Sequence, residues 1–201
     1  MNTARDLAIV ALDRASERPV EQGDLSLALA GAELLDLAAT GALILDDDRI
    51  APSAQAPTGD RLLDEAAAAL VRQEPYESVE EWLWRRGRGL FSAYVDDLER
   101  TGLTARPRGL RIALRGGRTE LVDSAARDEA EGRWAAGEPV LAALAAAAGL
   151  RDEPAGTAED LDGDTITTVL AAVGEAVMEL EGVRQRKVVE DAAFDNVWRG
   201  F

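Results

Sequence analysis

Leu25-Ser26-Leu27-Ala28-Leu29-Ala30-Gly31-Ala32-Glu33-Leu34-Leu35-Asp36-Leu37-Ala38-Ala39 sets the class of the fold. Its apolar positions Leu27, Leu34, Leu35 and Ala38 recur at helical spacing, and Gly41 follows as a stop. On the N-terminal side, Asp6 to Leu12 reads as a short apolar helix or strand, followed by the polar turn Asp13–Gln22. On the C-terminal side, Ala42 to Leu45 and Arg49–Ala51 read as a small hairpin turned by Asp46–Asp48. Ala54–Asp60 is a loop, and Asp60 caps a helix reaching about Arg72, with Leu62, Leu63, Ala66 and Leu70 as its buried stripe. Ser78 with Glu81 forms a capping box ahead of Trp82 and Trp84. Gly87 and Gly89 break that helix, which resumes from Leu90 to Arg100 and closes at Gly102.

Leu110 to Leu114 alternates with the two-residue period of a strand, Gly116–Gly117 permits a tight turn, and Thr119 to Val122 returns. Beyond Asp123 the pattern is helical over about 123–136, 138–149 and a long or broken stretch from 164 to 197, with Arg151–Asp160 as the most linker-like segment. The class is therefore mainly α: a compact single-domain helical array over 1–201 with one or two short β-hairpins. A chain this long hides roughly 70% of its unfolded surface. With aromatics at 4%, its core must come from Ala, Leu and Val, which favours close helix packing.

Composition narrows the chemistry. There is no Cys, so neither a disulfide nor a thiolate metal site exists. There is no His either, which removes the usual base near neutral pH and every Ser–His or Cys–His nucleophile. Lys187 is the sole lysine. Carboxylates remain as the main catalytic candidates, and pairs such as Asp64–Glu65 and Glu80–Glu81 could act in a shared cleft. With 38 acids in the chain such neighbours are unavoidable, and no phosphate loop, nucleophile elbow or dinucleotide fingerprint accompanies them. The reading is a non-enzyme without cofactor. Asp46–Asp48 is better a solvated turn than a cation site. Asp160-x-Asp162-Gly163-Asp164 fails the calcium-loop spacing and reads as a helix start.

The N-terminus lacks a signal-peptide pattern, and the longest apolar run, Val140 to Leu150, is too short to span a bilayer. This points to a cytoplasmic protein whose membrane contact is peripheral. The net charge of −16 opposes general binding to nucleic acid or anionic lipid. The charge is unevenly placed: between Arg85 and Arg118, nine arginines face three acids, leaving +6 there and −22 elsewhere. The excess of Arg over Lys, with abundant Ala, is the mark of GC-rich codons and suggests a bacterial, actinobacterial source. Trp82, Trp84, Arg85, Arg86 and Arg88 combine aromatic and basic character, although Trp82 shares a helical face with Val79 and Leu83 and reads as core. Arg111 and Arg115 share one face of the predicted strand, with Arg118 past the turn, and such like charges need an anion among them.

Ala56-Pro57-Thr58-Gly59-Asp60 followed by Leu62-Leu63-Asp64-Glu65-Ala66 resembles the Golgi phosphoprotein 3 family, bacterial members included. Leu29 to Ala38 with Gly41 is similar to the family's first helix, and Asp97-Leu98-Glu99-Arg100-Thr101-Gly102-Leu103 to a later segment. Trp82, the hairpin at 110–122 and the helix ending in Trp134 follow in family order. The resemblance implies one all-α domain with a small β-hairpin that oligomerises, here through Leu110, Ile112 and Leu114. It also implies a non-enzymatic peripheral membrane protein that recognises phosphatidylinositol 4-phosphate and, in eukaryotes, retains Golgi glycosyltransferases as an adaptor. The family's pocket departs here: Glu17–Asp24 has no Trp, Ala30 stands at the helix Arg, and Leu121–Gly132 offers only Arg127.

The expected partners are thus anionic lipid headgroups or a protein, with Arg108, Arg111, Arg115, Arg118 and Arg127 as the lipid- or anion-binding residues and homo-oligomers through the hairpin. A DNA-binding regulator is the alternative, because helix–Gly–hairpin units resemble winged helices. The negative net charge and the lack of an Arg-rich recognition helix make nucleic acid the weaker partner.

Overall fold

Every residue from Leu25 to Leu37 is buried, so the helix that decides the fold presents no solvent face along its middle. The computed structural model describes residues 2–15, 17–54, 57–105, 120–152 and 163–199, with backbone alone at 105, 120 and 191–199. That central helix, α2 (Gln22–Ala39), touches α1 (Thr3–Arg14), α3 (Arg61–Ala69), α4 (Val79–Arg86) and α5 (Leu90–Arg100). It also touches α7 (Pro139–Ala147) and α8 (Asp164–Arg199), while α6 (Ala125–Ala135) packs on α1 and α7. The mainly α class is as read from the sequence. A helix apolar on all sides belongs inside a bundle, and here all eight described helices contribute to one hydrophobic cluster.

The Ala-rich composition permits this. Gly31 lies so close to α8 that a Cβ there would fall 2.4 Å from Val173 Cγ2. Val169 and Val173 of α8 are fully buried against it. Several helix starts are closed by a cap side chain. Asp60 Oδ1 accepts from the N–H groups of Leu62 and Leu63, and Ser78 and Glu81 make both halves of their capping box. The start of α1 has a cap from far along the chain: Asp36 of α2 accepts from the N–H groups of Thr3 and Ala4 at 3.1 and 3.0 Å.

Strands β1 (Leu43–Asp46) and β2 (Arg49–Pro52) pair antiparallel, Leu43 opposite Pro52 and Asp46 opposite Arg49. The turn is therefore Asp47–Asp48 alone, with Asp47 at a positive φ of 53°. Helix α3 stops at Ala69, short of Arg72, because Leu70 adopts extended backbone (ψ 136°) while keeping its side chain buried. The segment Asp6–Leu12 is helical and is part of the longer α1. Residues 164–197 form one helix rather than a broken stretch. In the second sheet, β3 (Thr104–Ala105) pairs with β4 (Glu120–Leu121), Thr104 opposite Leu121. The predicted strand Leu110–Leu114, its turn Gly116–Gly117 and most of the Arg151–Asp160 linker lie outside the described residues.

Two outcomes follow from this packing. Gly31→Ala should lower unfolding stability by about 1–3 kcal/mol by overpacking the α2–α8 contact, and Val173→Ala in the same chain should recover part of the loss in urea titrations. Asp64 accepts from both the N–H and the hydroxyl of Thr58, at 2.6 and 2.7 Å, and these bonds hold its carboxyl below the ordinary range. A folded pKa below the unfolded one gives stability that is present above about pH 4 and disappears as pH falls through the lower folded value. Asp64→Asn should flatten that acid limb of the stability curve.

Candidate functional site

The basic and aromatic run on α4 is largely taken up by contacts within the protein. Trp82 is fully buried and donates from Nε1 to the Ala30 carbonyl at 3.0 Å. Arg85 is gripped at Nε and Nη2 by Glu77, both bonds 2.6 Å, with its guanidinium 5.2 Å above the Trp82 ring. Arg86 makes a bidentate pair with Glu33, Nε to Oε2 at 2.7 Å and Nη2 to Oε1 at 2.8 Å. The Tyr94 hydroxyl donates to the same carboxylate at 3.1 Å. Glu33 is 0% exposed and Arg86 17%. Burial pushes the Glu33 carboxyl upward, while hydrogen bonds and charge from Arg86 and a hydrogen bond from Tyr94 pull it back. Burial and the adjacent Glu33 hold the Tyr94 phenol well above its ordinary value. Arg100 is likewise engaged, sharing Asp97 with Arg61 at 2.9 and 2.8 Å. Part of the cationic excess counted between Arg85 and Arg118 is therefore offset by Glu33 and Glu77, which lie outside that stretch of sequence.

Arg127, the one described member of the predicted anion-binding set, bridges Asp13 at 2.6 Å and Asp123 at 2.8 Å. Arg108, Arg111, Arg115 and Arg118, and the hairpin residues Leu110, Ile112 and Leu114, lie outside the described residues. Three of the four paired carboxylates have structural occupations. Asp64 braces Thr58, Glu65 pairs with Arg61, and Glu81 completes the capping box. Among the described residues, no cluster of three or more acidic ligands could hold a metal ion.

One arginine of the run stays free of any carboxylate among the described residues. Arg88 is exposed and stands in the turn between α4 and α5. It borders a cavity of about 260 Å³ walled by Gln22, Gly23 and Ser26 of α2, half-buried Trp84, Ser92 of α5 and Leu180 of α8. Two helix starts converge here. At α2, N-capped by Glu21, no cap side chain accepts from the first-turn N–H groups, whereas at α5, N-capped by Gly89, Ser26 Oγ of α2 accepts from the Phe91 N–H at 3.2 Å. Unpaired N–H groups at a helix start carry partial positive charge and favour an anion. The nearby Asp24 carboxylate is held by Arg184, at 2.7 and 3.0 Å. Gly87 permits the close approach of the turn to α2: a Cβ there would fall 3.4 Å from both Leu27 Cδ2 and the Ser26 carbonyl. The sequence drew attention to Arg88 and Trp84. It gave no sign that Gln22, Ser26, Ser92 and Leu180 would gather around them, since these are brought together only by tertiary packing.

The family model for Golgi phosphoprotein 3 (GPP34) matches residues 4–192, nearly the whole chain. The chain belongs to that family. No curated protein matches it. In this family member, the Pro57-Thr58-Gly59-Asp60 signature has a structural role, positioning the Asp60 cap of α3 and the Thr58–Asp64 brace. Among the described residues, no helix is long and apolar enough to cross a membrane.

Glu33→Ala should destabilise the fold by about 3–5 kcal/mol, because it strands the Arg86 guanidinium in a dry interior. Replacing both partners, Glu33→Met with Arg86→Leu, should recover most of that stability in thermal unfolding, since it removes the orphaned charge as well.

Proposed function

We propose that this Golgi phosphoprotein 3 family member is a non-enzymatic peripheral protein that docks on membranes by binding an anionic lipid headgroup. The observation that carries the reading is that Arg88, alone among Arg85, Arg86 and Arg88, has no carboxylate partner among the described residues. Its neighbours Arg85 and Arg86 are each paired with a carboxylate, whereas Arg88 borders a small cavity at the uncapped start of α2. A phosphorylated headgroup supplies acceptors for the first-turn N–H groups of α2, and Trp84 supplies an amphipathic ring of the kind favoured at bilayer interfaces. At about 260 Å³ the cavity is slightly smaller than the range of about 300–1,000 Å³ usual for small-ligand sites, so it fits a compact group rather than an acyl chain. Phosphatidylinositol 4-phosphate, the lipid implied by the family resemblance, is the reference ligand.

A second cationic element supports docking. Residues 106–119 contain Arg106, Arg108, Arg111, Arg115 and Arg118 and no acid. The ends of that segment are tied together where Thr104 and Ala105 pair with Leu121 and Glu120. In this reading its arginines supply non-specific attraction to an anionic surface, and Leu110, Ile112 and Leu114 provide the oligomer contact. The groove lies at the first turn of α5 and the tied ends follow its last, a helix length of roughly 16 Å.

Co-sedimentation with vesicles separates the two contributions. Wild-type protein should bind phosphatidylcholine vesicles doped with phosphatidylinositol 4-phosphate more tightly than charge-matched phosphatidylserine vesicles. Arg88→Glu should abolish that preference. Arg111→Glu/Arg115→Glu/Arg118→Glu should weaken binding to both vesicle types and reduce its sensitivity to salt. Equal binding by wild type and both variants would overturn the proposal.

A further inference from the structure

The first turn of α2 carries two carboxylates and uses neither as a cap. Glu21 is its N-cap residue and Asp24 its third residue, positions from which an acid ordinarily favours the exposed N–H groups of its own helix. Among the described residues, no N–H of that turn donates to either side chain. Asp24 accepts instead from Arg184 of α8, 160 residues away, with Oδ1 receiving Nη2 at 2.7 Å and Oδ2 receiving Nη1 at 3.0 Å. The two side chains are 15% and 26% exposed, so the pair is partly shielded from the water and salt that weaken an open one.

Gly23 makes this contact possible. A Cβ there would fall 2.8 Å from Leu180 Cδ2 and 3.0 Å from Arg184 Nη2, so both side chains rest on the bare backbone of the turn. Leu180 and Arg184 lie four residues apart and share a face of α8. Gly23 and Leu180 also wall the cavity that Arg88 borders. The Arg184 guanidinium therefore stands at the edge of that cavity, fully committed to acids. Asp24 first, and then Glu181 and Glu21, favour its charge.

The balance of charge at this turn depends on Arg184. With it in place, Asp24 is neutralised and held off the helix start, leaving Arg88 and the N–H groups of α2 to attract an anion. Without it, Glu21, Asp24 and Glu181 would stand near the cavity with no guanidinium among them. Asp24 would then be free to fold back onto the N–H groups that a phosphate needs.

We infer that Arg184 is a positioning residue of the headgroup site, holding the Asp24 carboxylate away from the start of α2 so that a phosphate can bind there. The inference rests on the headgroup reading and adds the requirement that α8 be seated on α2. Arg184 acts through Asp24 rather than by touching the lipid.

The test is a double-mutant cycle read by co-sedimentation with phosphatidylcholine vesicles containing phosphatidylinositol 4-phosphate, against charge-matched phosphatidylserine vesicles. Arg184→Met keeps an apolar stem over Gly23 and removes the charge. It should weaken phosphoinositide binding about tenfold, as an uncompensated carboxylate beside the phosphate would, and change phosphatidylserine binding little. Asp24→Ala removes the competing carboxylate and should bind at least as tightly as wild type; weaker binding would count against the inference even if Arg184→Met failed to fold. Asp24→Ala/Arg184→Met, which has the wild-type net charge, should recover most of the lost affinity. A residue that merely anchors α8 would leave the double variant as weak as Arg184→Met, and that result, or wild-type affinity in Arg184→Met, would sink the inference while sparing the headgroup reading. A wild type with no preference for the phosphoinositide would sink both. One readout needs no lipid: in Arg184→Met, and not in wild type, the amide resonances of Gln22 and Gly23 should shift with pH as Asp24 titrates.

Discussion

The bidentate pair between Glu33 and Arg86, with the Tyr94 hydroxyl on the same carboxylate, is the constraint around which the helices are arranged. It joins the middle of α2 to the end of α4 and the second turn of α5. A fully buried carboxylate tolerates few geometries, since each oxygen needs a donor and the net charge needs a cation. Satisfying both at once fixes the rotation of three helices about their axes. Arg86 also reaches the Leu62 carbonyl, so the start of α3 is tied to the same point. Apolar packing alone, dominated by alanine and leucine, would leave those rotations weakly specified. The polar cluster narrows them.

This arrangement also explains how a chain of such negative charge comes to have a cationic opening. Ion pairs take up the guanidinium groups on both sides of the α4–α5 turn, and the turn itself projects Arg88 into solvent. Carboxylates that would otherwise surround it are already committed: Glu33 and Glu77 inward, Asp24 to α8. The local field is set by which charges remain uncompensated, and a regional sum such as the +6 counted from Arg85 to Arg118 does not reveal that. Trp134 shows the same economy elsewhere, with Arg14 and Arg151 stacked 4.9 and 4.6 Å from its ring.

Helix positions were legible in the sequence because their ends carry chemical labels: Asp60, the Ser78–Glu81 box, Gly41 and Gly102 all act as read. The core role of Trp82 was legible from its shared face with Val79 and Leu83. Less legible was how far α2 is buried, because burial on every side erases the one-face periodicity that marks a surface helix. Ion pairing was illegible altogether, since Glu33 and Arg86 lie 53 residues apart and nothing local distinguishes them from solvated charges. An arginine without a carboxylate, such as Arg88, is therefore recognisable only once the folded pairing is known.

The Asp36 cap on α1 has a consequence for how the fold opens and closes. Helix α1 runs from Thr3 to Arg14, a length near the limit of independent stability, and its first two amides find their acceptor 32 and 33 residues away. The N-terminal turn therefore cannot fray by itself in the ordinary manner of a chain end. Solvent reaches the Thr3 and Ala4 amides only when α1 lifts away from α2 as a unit, and their isotope exchange keeps time with that detachment.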